Sequence, residues 1–138
     1  MKVFLITAAA LALAAPTSAA AQSGAGPGCF YVRDVGGRSV ADSNTLYFGV
    51  LDRSHMTTQA YFRVRVSGCH VVPGSHSRSS AAGVFSVRTV IDAAGRSDRV
   101  CGIGDLKIEA GTTCKVESLE RMTPAEVAAI PRQLKPTR

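Results

Sequence analysis

Residues 60–69 read "AYFRVRVSGC" and alternate apolar with polar side chains at a period of two. Phe62, Val64 and Val66 fall on one side and Tyr61, Arg63, Arg65 and Ser67 on the other, the pattern of a strand with one face in a core and one in water. The stretch ends on Cys69, so its outcome is tied to the four cysteines of the chain.

Similar short segments lie on either side. "CFYVRDV" (residues 29–35) predicts a first strand, with Gly36-Gly37 marking a turn or bulge. "TLYFGVL" (residues 45–51) puts Leu46, Phe48 and Val50 on a common face. "VFSVRTVID" (residues 84–92) turns Phe85, Val87 and Ile91 inward and Ser86 and Arg88 outward, and the turn "AAGRSD" follows it. Residues 105–120 predict a hairpin, with Leu106, Ile108 and Ala110 on one face, a turn at "GTT" (residues 111–113), and "CKVESLERM" as the returning strand. Thr123-Pro124-Ala125-Glu126 is a capping box with proline at the first helical position, so a short helix runs through "AEVAAI" and stops before Pro131. Residues 70–83 are rich in turn formers and predict a long mobile loop. The fold class expected is mostly β: a small barrel or sandwich of five to seven strands with a short C-terminal helix.

The N-terminal 21 residues carry one charge, Lys2, then an apolar run, then Ala19-Ala20-Ala21. The run is well short of the roughly 20 apolar residues of a membrane span, so a secretory signal peptide cut after Ala21 is expected. Removing residues 1–21 from the 138 leaves 117, a length for one domain, and lowers the formal charge from +6 to +5. The organisation expected is a signal peptide (1–21), a flexible leader (22–28), a single β domain (29–131) and a frayed tail (132–138).

Cys29, Cys69, Cys101 and Cys114 make an even set in an exported small domain, which predicts two disulfides. Their spacing is too long and irregular for zinc, and the C-x-x-C redox spacing is missing. With Cys114 beside the hairpin turn and Cys101 ahead of the outgoing strand, the two stand about 20–30 Å apart, beyond disulfide reach. That leaves two pairings. Cys29–Cys114 with Cys69–Cys101 is the preferred expectation, and Cys29–Cys101 with Cys69–Cys114 the alternative.

"CFYVRDV" with "VADSNTLYF", "YFRVRVSGC", "CGIGDLKI", "CKVESLERM" and "TPAEVAAI", which span Cys29 to about Pro131, resemble a family of small exported proteobacterial proteins built around a domain of unknown function. The cysteine arrangement and the C-G-x-G-D segment are the most specific elements. The polar loop at 70–83 departs from the family pattern. The resemblance implies a compact, disulfide-bearing β domain in the periplasm, and it carries no activity, cofactor or site residue with it.

The residues point to few chemistries. His70 and His76 flank a loop beside Cys69 and define one alternative, a metal-binding or hydrolytic site. A disulfide at Cys69 removes that ligand, and no G-x-S-x-G frame surrounds any serine. Gly102 and Gly104 precede a strand and not the helix a phosphate loop needs, so Asp105 is expected to hold nearby backbone amides instead. A second alternative is an anionic polymer on the outward face bearing Tyr61, Arg63, Arg65 and Arg88, joined by Arg33. Nucleic acid is disfavoured by export. The expectation is a non-enzymatic periplasmic or secreted module with no cofactor, no metal and no catalytic residues. Its partner would be an envelope component, an anionic glycan or a protein.

Overall fold

A computed structural model of the chain describes residues 28–77, 85–90 and 98–136. The expected signal peptide, the expected leader up to residue 27, residues 78–83 of the polar loop, Ile91 and most of the expected turn at 93–98 lie outside the described residues.

The fold is mostly β, as the alternating patterns require. Nine strands run in chain order: β1 Phe30–Tyr31, β2 Val35–Val40, β3 Thr45–Asp52, β4 Thr57–Ser67, β5 His76–Ser77, β6 Ser86–Thr89, β7 Arg99–Val100, β8 Leu106–Ala110 and β9 Thr112–Arg121. Seven form one curled half-barrel sheet in the order β5-β2-β3-β4-β9-β8-β6, and β1 pairs with β7 in a separate two-stranded sheet. Every pairing is antiparallel.

The run at 60–69 lies at the centre of the large sheet. Phe62, Val64 and Val66 are buried, and across β3 they face Phe48 and Leu46, which are also buried. Paired residues share a face, so period-two patterns in adjacent strands combine into one apolar surface. The two-stranded sheet adds Phe30 and Val100 to it, both fully buried. The rings of Phe30, Phe48 and Phe62 meet with centroids 4.8–5.4 Å apart, within the range of favourable aromatic contact. Val87, Leu106 and Ile108 extend the core along β6 and β8.

Three expectations change. "CFYVRDV" is not one strand: a 3-10 turn at Val32–Asp34 breaks it, so β1 leaves for the small sheet while β2 enters the large one. Gly36-Gly37 do form a bulge, where the register of β2 against β3 shifts between Val35 and Arg38. The loop after Cys69 is ordered as far as it is described. His76 and Ser77 pair with Ser39 and Arg38, and Val40 and Gly74–Ser75 exchange backbone hydrogen bonds, which gives the segment a sheet edge to lie on. Residues 132–136, expected as a tail, fold onto the sheet. Arg132–Leu134 form a 3-10 turn, Ser39 Oγ donates to the Leu134 carbonyl, and Pro136 is buried.

The hairpin and helix match expectation. Gly111, with φ at 72°, turns β8 into β9 so that Ile108 faces Cys114. The helix α1, Pro124–Ala129, opens with the capping box: Thr123 Oγ1 accepts from the Glu126 amide at 3.3 Å, and Glu126 Oε2 accepts from the Thr123 amide at 2.8 Å.

Candidate functional site

The cysteines pair as Cys29–Cys101 and Cys69–Cys114, with Cα separations of 4.2 and 4.9 Å. This corrects the preferred pairing and selects the alternative, and strand register is the reason. Phe30 faces Val100 in β1–β7, so the next rung outward sets Cys29 against Cys101. Ser67, the last residue of β4, faces Lys115 of β9, and beyond it the left-handed Gly68 brings Cys69 to Cys114. The separation of Cys101 from Cys114 as partners holds. No free cysteine remains, which fits an oxidising compartment outside the cytoplasm.

The histidines are not gathered. His70 is exposed just after Cys69, His76 is fixed on β5 opposite Ser39, and His55 pairs with Asp52 at 2.8 Å. That contact holds the Asp52 carboxyl below its ordinary value. Among the described residues no three His, Cys, Asp or Glu side chains converge as a metal site. Asp105 Oδ2 accepts from the Cys101 amide at 3.0 Å, as expected, inside a tight turn that leads into β8.

The arginine-bearing face is present, and carboxylates occupy much of it. Arg63 Nη2 lies 2.6 Å from Glu120 and 3.2 Å from Glu126, contacts that raise the guanidinium pKa, the Glu120 hydrogen bond foremost. Arg88 lies 3.3 Å from Glu109, which also pairs with Lys107 at 2.9 Å. Arg88 is on β6, with β9 and β8 between it and β4, so it does not continue the row of Arg63 and Arg65. Arg65 is exposed opposite Thr45, and Tyr61 is half-buried opposite Gly49. Arg33 stacks on Tyr31 and pairs with Asp98. Arg53 pairs with Asp34, and Lys115 with Glu117. Such exposed pairs add little stability, but they decide which positive charge is left to act outward.

Positive charge also collects at the sheet edge. Where β5 forms the sheet edge and the C-terminal segment crosses β2, a recess of about 120 Å³ is lined by Arg38, His76, Ser77, Arg132, Gln133, Lys135 and Pro136. Three permanent cations line it, and among the described residues no carboxylate does. Arg38 comes from the middle of β2 and is only 5% exposed, and burial lowers its pKa. Arg132 and Lys135 are carried by the segment that Ser39 anchors through Leu134. None of these cations was singled out in the sequence. Arg38 sits in "VGGRSV", whose six residues are all buried, and a guanidinium there has no periodic signature. Arg132 and Lys135 fall in a stretch that reads as a tail.

No protein-family model matches the chain, and no curated protein or solved structure matches it significantly. Among the described residues no helix is long and apolar enough to cross a membrane.

Proposed function

We propose that this chain is an exported, non-enzymatic binding module that works in the periplasm or outside the cell and holds an anionic component of the envelope at the basic edge of its sheet. The observation that carries this reading is the convergence of cations at one sheet edge. Cations on the strand faces meet carboxylates, and Arg38, Arg132 and Lys135 converge on one recess at the sheet edge. Clustered cations raise the local potential and draw in anions.

Supporting it are the signal-like N-terminus, the two disulfides and the net positive charge. The resemblance to small exported proteobacterial β domains agrees with the same compartment. The contact surface proposed here replaces the face of Tyr61, Arg63, Arg65 and Arg88, because Arg63 and Arg88 already hold carboxylates.

The test is retention of the oxidised, exported protein on an immobilised sulfated polysaccharide. Retention is expected to weaken steeply with salt, to survive R63S/R65S and to fall in R132A/K135A. Absence of retention at low salt, or its loss in R63S/R65S alone, would remove the reading.

A further inference from the structure

The two bridges differ in what surrounds them. Cys114 belongs to the apolar core at 5% exposure, and Cys69 packs against that core. Cys101, just after β7, is exposed, and Cys29 opposite it is half-buried. Past Cys101 the chain enters the 3-10 turn Ile103–Asp105. Among the described residues a Cβ built on Gly102 or Gly104 would meet no atom within 4 Å, and Ile103 is 49% exposed. The turn beside Cys101 is therefore open to an incoming reagent.

Exchange at a disulfide depends on access to the sulfur attacked and on how well the departing thiolate is stabilised. Access selects Cys101. Arg99 Nη2 lies 3.5 Å from Cys29 Sγ, so a guanidinium faces the negative charge that forms if Cys29 departs. Asp105 Oδ2 accepts from the Cys101 amide at 3.0 Å, and a carboxylate there disfavours a thiolate on Cys101. Both charges select one direction, attack on Cys101 with departure of Cys29. The carboxylate also repels an anionic reagent, so it sets the direction of exchange without speeding it.

Independently of the anion-binding reading, we propose that Cys29–Cys101 is a thiol–disulfide exchange site. It reacts in the folded protein with an external thiolate, from a low-molecular-weight monothiol or a protein dithiol, while Cys69–Cys114 stays closed. In the first step the external sulfur bonds to Cys101 Sγ, the Cys29–Cys101 bond breaks, and its electron pair leaves on Cys29 as a thiolate. Strand β1 keeps Cys29 in place, because Phe30 is fully buried and paired with Val100. Cys29 is then the resolving thiolate: attack on the Cys101 adduct restores the bridge and releases the reagent as a thiolate. When the reagent is a dithiol, its second thiolate displaces Cys101 instead. Two electrons have then passed from the dithiol, now a disulfide, to the bridge, and Cys29 and Cys101 take up two protons as they become thiols.

The experiment treats the oxidised full-length exported protein in native buffer with reduced glutathione or with reduced thioredoxin, at matched thiolate concentration. Free thiols are trapped by rapid alkylation and the peptides are mapped without reduction. Glutathione is expected on Cys101, with Cys29 alkylated and Cys69–Cys114 intact, the first bridge opening about tenfold faster than the second or more. Thioredoxin is expected to leave both Cys29 and Cys101 alkylated. The rate should be flat at low urea, since the reaction does not wait for the fold to open. R99Q should slow opening about threefold or more, and R99K should restore it. Faster opening by thioredoxin assigns a protein dithiol as the reagent, and faster opening by glutathione assigns a small thiol. Equal opening of the two bridges, adduct mainly on Cys29, a rate that climbs with urea, or a rate unchanged in R99Q would overturn the proposal.

Discussion

At Gly49 the C-terminal segment passes close over β3. A Cβ there would lie 2.8 Å from Thr58 Cγ2 and 3.1 Å from the Pro136 carbonyl oxygen. Thr58 is β-branched and stiff on its strand, and the Pro136 oxygen is backbone, so neither neighbour yields without local displacement. Gly49→Ala is expected to cost about 1–3 kcal/mol, read as a lower urea midpoint with unchanged slope. It should also speed hydrogen exchange in residues 132–136, and unchanged exchange would show that the segment is not held at this contact. The sequence showed Leu46, Phe48 and Val50 as core because their period is visible locally. It could not show why glycine stands between Phe48 and Val50, since the crowding atom lies 87 positions away. Arg38 was hidden for a related reason, because only the bulged register and the arriving tail explain a cation buried in β2.

The helix α1 was legible to its boundaries because a capping box is local chemistry written in four consecutive residues. Its charge coupling reaches further. The Thr123 amide and hydroxyl lead in holding the Glu126 carboxyl below its ordinary value, and Arg63 adds to them from β4. A carboxyl lowered in the fold stabilises it at pH above the unfolded value near 4, and that contribution is lost as pH falls through the lowered value. Thermal midpoints should therefore fall on acidification below about pH 4.5, and in E126Q they should fall less steeply. Identical acid slopes in the two proteins would remove Glu126 from the account. Strand β1 shows the opposite limit of local reading. Residues 29–35 carry strand-like composition throughout, and only the separate demands of two sheets place a 3-10 turn at Val32–Asp34.

Over the whole molecule, the alternating runs were enough to give a mostly β fold, because each strand's period could be read by itself. Neighbour order could not be read in that way. Nothing in residues 29–31 says that they will pair with residues 99–101, and the disulfides follow from that pairing. Non-reducing peptide mapping should recover Cys29 linked to Cys101 and Cys69 linked to Cys114, and any other linkage would overturn the sheet order as well. The bridges close loops spanning 72 and 45 positions, so each is expected to contribute about 4 kcal/mol by restricting the unfolded chain. Replacing either pair with alanine should lower the urea midpoint accordingly, a large fraction of the net stability of a domain this size. The two bridges also interleave, first cysteine with third and second with fourth. A chain threaded outward from its N-terminus therefore presents Cys29 and Cys69 to oxidants before either true mate has emerged. Biogenesis must then either delay oxidation until Cys101 and Cys114 arrive or undo a premature 29–69 crosslink by thiol exchange, a step that runs over seconds to hours according to the oxidant and isomerase at hand.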